Sequence, residues 1–138
     1  MRQSDITFEE VEAYVRAGWS QWLHLSSDAI KNLPLLPGVY EVRPKDYSFP
    51  RLRGQTSTIY IGSAEKRELV KRLNGLVKGR HVARRRIERI KNELKIDLEF
   101  RFRVEFAARQ VEQELLREYV CKHLELPPCN HNIARQQT

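Results

Sequence analysis

At 138 residues the chain is long enough for one hydrophobic core and too short for two. Its 25 Lys and Arg against 18 Asp and Glu leave a formal charge of +7, which favours a polyanionic partner such as nucleic acid or an anionic membrane surface. No run approaches the roughly 18 apolar residues of a membrane span, the acidic start with Asp5, Glu9 and Glu10 is unlike a signal peptide, and two cysteines without a CxxC pair argue against a disulfide framework. A cytoplasmic protein with no membrane partner is the expectation.

Thr7 and Glu10 have the spacing of a capping box, which predicts a helix from about Phe8 to Ala17 with Phe8, Val11 and Val15 on one side and Gly18 at its end. Trp19, Trp22, Leu23 and Leu25 follow as an apolar patch, and large aromatics in such a patch read as packing residues before base-stacking ones. Ser27 or Asp28 caps a short turn through Ile30, so residues 1–33 form an N-terminal helical extension.

Pro34 and Pro37 then break any helix. Gly38-Val39-Tyr40 and Ile59-Tyr60-Ile61-Gly62 read as two short strands, each with one tyrosine on a β-branched background. Closed as a hairpin around a loop centred near Pro50, they would set Tyr40 and Tyr60 opposite each other with both phenols on one face. Residues 43–57, with Pro44, Pro50 and Gly54 among Lys45, Arg51 and Arg53, form a long basic loop, either a solvated surface loop or one that touches a phosphate backbone.

From Ala64 or Glu65 to Val77 the pattern is helical, with Leu69, Leu73, Leu76 and Val77 on one arc and Arg72 at its rim, while Lys66, Arg67 and Lys71 point elsewhere. Gly79 ends that helix. The next, Val82 to Leu94, turns Ala83, Ile87, Ile90 and Leu94 inward and leaves Arg84, Arg85, Arg86, Arg89 and Lys91 outward, a face that is either solvated or in contact with nucleic acid. Leu98 to Phe106 alternates apolar with charged residues and predicts a strand with one buried face. In the last helix, Ala107 to Leu124, Glu112 shares an arc with Ala108, Leu115, Leu116 and Tyr119, whereas Glu114 and Glu118 point away. A carboxylate inside an apolar stripe needs a salt bridge, a hydrogen bond or a metal. Pro127-Pro128 then turns the chain into Cys129-Asn130 and a polar tail over 132–138. Cys121, His123, Cys129 and His131 suggest zinc, but Cys121 and His123 sit two apart on a helix and face about 200° away from each other.

Gly38-Val39-Tyr40, Tyr60-Ile61-Gly62, Arg72 between Lys71 and Leu73, Glu112 in Glu-Gln-Glu-Leu-Leu, and Pro128-Cys129-Asn130 come in an order that resembles the motif set of the GIY-YIG endonucleases. The likeness runs from about Leu35 to Asn130, and the nuclease domain it implies spans residues 34–131. It implies an α+β sandwich: a small three-stranded antiparallel or mixed sheet flanked by helices. It also implies hydrolysis of a DNA phosphodiester, with Tyr40 and Tyr60 as paired phenols, one of them a general base. Arg72 would bind phosphate, Glu112 would ligate a single Mg2+ or Mn2+, and Asn130 would buttress the site. Lys66, Arg67, Lys71, Arg84 and Lys91 are the expected nucleic-acid contacts on duplex or branched DNA, with RNA also open, by a monomer or homodimer. The position one turn after the arginine, where many relatives carry histidine or tyrosine, is Leu76 here, and His81, beyond Gly79, is the nearest candidate to replace it. The alternatives are a DNA- or RNA-binding module on the same scaffold that does not cut, and a protein-interaction domain using the tryptophan patch.

Overall fold

A computed structural model describes residues 6–130 as an α+β fold. In chain order the elements are α1 (Phe8–Ala17), β1 (Leu23–His24), α2 (Ser27–Ile30), β2 (Gly38–Pro44), β3 (Phe49–Pro50), β4 (Gln55–Thr56), β5 (Tyr60–Ala64), α3 (Leu69–Lys78), α4 (Arg84–Leu94), β6 (Leu98–Val104) and α5 (Ala108–His123). The Thr7–Glu10 capping box closes in both directions, and Gly18 ends α1 with φ of 72°. The polar tail lies outside the described residues.

The main sheet is four-stranded, in the order β1-β6-β2-β5, and every pairing in it is antiparallel. Three of these strands were expected. The fourth is a two-residue edge strand from the N-terminal segment, too short to carry a periodic signal, in which Leu23 pairs with Phe100. Ser20 runs along the same edge, its N–H donating to the Phe102 carbonyl at 2.8 Å and its hydroxyl accepting the Phe102 N–H at 3.0 Å.

Alternation along β2, β5 and β6 separates two faces. One presents Tyr40, Val42, Tyr60, Phe100 and Phe102 to Leu69, Leu73 and Leu76 of α3, Ile87 of α4, and Ile30 and Leu33 of the N-terminal segment. On the other face Ile61 packs under Leu116 and Tyr119 of α5, while half-buried Trp19 and Trp22 lie beneath guanidiniums. Arg43 sits 3.8 Å from the Trp22 ring centroid and Arg101 4.3 Å from that of Trp19. The tryptophans therefore pack, as expected, but against arginines rather than in the core. Arg43 is fixed by Glu99 at 3.0 Å and Arg101 by Glu41 at 2.8 Å. Among the described residues no helix is long and apolar enough to cross a membrane.

The elements differ from expectation chiefly at their ends. α3 starts at Leu69 because residues 65–68 form a turn with Lys66 at φ of 54°. β6 stops at Val104, leaving Phe106 largely exposed. In α1, Phe8 and Val15 are exposed, and only Val11 and Tyr14 lean on the core.

The 43–57 segment is not an open basic loop. It folds into the β3–β4 ribbon, whose arginines turn back onto the end of α5. Arg53 donates to the carbonyls of Lys122 (3.0 Å) and Cys121, and Arg51 donates to the Leu126 carbonyl and pairs with Glu125 at 2.8 Å. The last carbonyls of a helix have no partner inside it and carry partial negative charge, so the Arg53 guanidinium there satisfies acceptors and complements the helix dipole, while Arg51 ties down the turn that follows.

Candidate active site

The hairpin register sets the two phenols diagonally. Tyr40 lies opposite Gly62 and Tyr60 opposite Val42, a two-residue offset that corrects the direct pairing expected from the sequence but keeps both rings on one face. Their centroids are 6.2 Å apart with planes inclined by 36°. Gly62 makes this approach possible: a Cβ there would stand 2.7 Å from Tyr40 Cζ and 2.7 Å from Tyr60 Cε2, so only hydrogen fits. Tyr40 is fully buried, and Tyr60 is 8% exposed.

Beside β5 opens a cavity of about 310 Å3 lined by Tyr60, Ser63, Glu68, Arg72, Arg109 and Glu112, among others. Tyr60 and Ser63 come from β5, Arg72 from α3, and Arg109 and Glu112 from the first turns of α5. Tyr40 does not line it. Glu112 is 8% exposed, as the apolar arc around it predicts, and its Oε1 accepts a hydrogen bond from the Ser63 hydroxyl. The sequence pointed to Glu112 but not to Ser63, whose side chain faces α5 only because β5 alternates and Ile61 and Ser63 share a face. Asn130 is buried and uses its side chain as a peptide would: Oδ1 accepts the Ile61 N–H and Nδ2 donates to the Ile61 carbonyl, both at 3.0 Å. It therefore clamps the backbone between Tyr60 and Gly62, without lining the cavity.

His81 joins the phenols across the turn after α3, with Nε2 3.0 Å from the Tyr40 hydroxyl and its ring edge-on to Tyr60 at 5.4 Å between centroids. Burial, helped by the positive charge of Arg72, lowers its pKa to about 4, so the ring is neutral at physiological pH. Burial also pushes both phenols above their ordinary range. For Tyr40 the nearby Arg72, as a charge and as a hydrogen-bond donor, opposes burial while Glu112 adds to it; for Tyr60, Tyr40 and Glu112 add to burial and Arg72 opposes it. Buried Cys129 is pushed up to about 12 for the same reason and is unreactive at neutral pH.

Among the described residues no group of three or more His, Cys, Asp and Glu could hold a metal. One firmly held carboxylate facing a cavity still suits Mg2+, which keeps several waters and takes one or two carboxylates. It does not suit zinc: Cys121 is exposed, Cys129 is buried, His123 Nδ1 lies 3.0 Å from the Arg53 carbonyl, and His131 lies outside the described residues.

Of the expected nucleic-acid contacts, Lys66, Arg67 and Lys71 are exposed around the start of α3. Arg84 is turned onto Glu88 at 3.1 Å, and Lys91 lines a separate, smaller cavity with His24 and Leu76. No protein-family model, curated protein or solved structure matches this chain.

Proposed function

We propose that this chain is a divalent-metal-dependent endonuclease of the GIY-YIG type, with one active site per chain, acting on DNA. The observation that carries the reading is convergence: a tyrosine, an arginine and a carboxylate from β5, α3 and α5 line one cavity, braced by Asn130 from the end of the described chain.

Attack on a phosphodiester builds charge on the equatorial oxygens and on the leaving 3′ oxygen, so the site needs positive charge at both places. Arg72 offers a planar fork that matches phosphate. Glu112, its rotamer fixed by Ser63, is the residue that would hold Mg2+ or Mn2+. When bound, the ion supplies positive charge for the leaving oxygen and acidifies a water.

Tyr60, the phenol that lines the cavity, is the group to take a proton from the attacking water. An ordinary tyrosine is phenolate in only about one copy in a thousand at pH 7, and burial lowers that fraction here while Arg72 raises it. Such a base gives cleavage that accelerates with pH. The same raised phenols favour the second reading, a module that binds DNA or RNA without cutting.

Nicking of supercoiled plasmid in Mg2+ decides between the two. Cleavage abolished by Glu112→Ala and by Arg72→Ala is expected; cleavage that survives both sinks the assignment, and salt-sensitive binding with no cleavage under any divalent ion establishes the second reading.

A further inference from the structure

Nothing about the His81–Tyr40 contact alone says which atom donates. The other ring nitrogen decides it. The Ala83 backbone N–H donates to His81 Nδ1 at 3.0 Å, and a backbone N–H cannot accept, so Nδ1 must be bare. A neutral ring then carries its hydrogen on Nε2, the nitrogen 3.0 Å from the Tyr40 hydroxyl. Protonating Nδ1 would point two N–H groups at each other, so the geometry itself disfavours the imidazolium. The ring is also held sterically: a Cβ on Gly75 would come within 3.2 Å of His81 Cβ, so the helix surface beneath it has little slack.

From this geometry we infer that His81 is a fixed hydrogen-bond donor to Tyr40, and that the pair holds the Arg72 guanidinium in place at the cavity wall. The Tyr40 oxygen has two lone pairs; one accepts from His81 Nε2–H, which leaves the other toward Arg72, whose positive charge acts on this phenol. Tyr40 is fully buried and lines no part of the cavity, so it acts on the reacting groups only through a neighbour, and Arg72, which does line the cavity, is the neighbour whose charge reaches it. His81 has no lone pair toward Tyr40 and cannot take its proton, which excludes a tyrosine-to-histidine relay. His81 and Tyr40 are thus positioning residues, and Tyr60 is left as the phenol that meets water. The catalytic consequence rests on the endonuclease reading; the hydrogen-bond direction does not.

The test therefore has one arm that needs no substrate. Two-bond proton–nitrogen correlation spectra of the wild-type chain between pH 6 and 8 are expected to show His81 Nε2 protonated and Nδ1 bare; an Nδ1–H tautomer or an imidazolium in that range overturns the inference. The Arg72 side-chain N–H signal is expected to shift and broaden in His81→Leu and to return in His81→Gln, whose amide can donate from nearly the same place. A leucine variant that leaves the Arg72 signal unchanged, or a glutamine variant no different from leucine, overturns it as well. In the nicking assay, His81→Leu is expected to lose about tenfold or more in kcat with KM nearly unchanged, and His81→Gln to recover most of the loss. If the wild-type chain cuts no substrate, the endonuclease reading fails while the spectra still decide this one.

Discussion

The arginines of the outer sheet face and the β3–β4 ribbon differ sharply from a few exposed cations on or between α3 and α4. Arg43 and Arg101 lie between a tryptophan ring and a carboxylate, Arg103 pairs with Glu105 at 2.6 Å, Arg53 caps α5, and Arg51 holds Glu125 and the Leu126 carbonyl just past it. Lys71, Arg80 and Arg85 stand in solvent, on or between the two helices that flank the phenols. A formal charge of +7 is therefore a poor measure of what this molecule can offer a polyanion. Cations of the first group are already committed to carboxylates or carbonyls and hold the fold; those of the second are available.

The largest effects separate chemistry from both groups. Arg72→Ala and Glu112→Ala are each expected to slow nicking by about a hundredfold or more, with little change in the urea unfolding midpoint for the exposed Arg72. Next comes pH. Because burial holds the Tyr60 phenol above its ordinary range, its phenolate fraction grows about tenfold per pH unit, so the nicking rate between pH 7 and 9 should climb with it; Tyr60→Phe should remove both activity and slope. A flat wild-type profile would remove Tyr60 as the base.

The comparison itself is broken or sharpened by paired substitutions. Arg51→Ala and Arg53→Ala should each lower stability by about 1–3 kcal/mol in urea titrations, since each leaves buried or helix-end acceptors unpaired, with no change in the salt dependence of DNA binding. Lys71→Ala and Arg85→Ala should do the reverse: stability within about 0.5 kcal/mol of wild type, and a salt slope shallower by about one unit for each phosphate that is no longer neutralised. If the ribbon arginines changed the salt slope and the helix residues did not, the division would be wrong.

The smallest effect concerns stability and acid. Folding lowers the His81 pKa to about 4 from an ordinary value of about 6.5. Below pH 6.5 the unfolded chain binds that proton more readily than the folded one, so stability declines as pH falls from about 6.5 toward 4. His81→Gln should flatten that part of the profile, measured as the urea midpoint at each pH.

Much of the fold was legible because it rests on periodicity. The strict alternation of 98–104 gave β6, the apolar arcs gave α3, α4 and α5, and the arc around Glu112 gave a buried carboxylate. What sequence could not supply was set by neighbours that leave no local pattern. Register was one of these: Tyr60 lies opposite Val42 rather than opposite Tyr40. β1 is too short to show a period, and Arg51 and Arg53 look like surface charge until the end of a helix 70 residues on is beside them. His81 sits beyond Gly79, off the arc of α3, and only the turn around Gly75 and Gly79 brings its ring back to the phenols.

Asn130 has one more consequence. β5 is an outer strand of the sheet, and such a strand offers open backbone groups to any passing chain. At Ile61 the Asn130 amide takes both the donor and the acceptor, and just upstream the Cys129 N–H takes the Ile59 carbonyl at 2.8 Å. The last described turn thus acts as a stopper against strand addition, and a chain cut short before Cys129 would be expected to self-associate into aggregates before it lost its secondary structure.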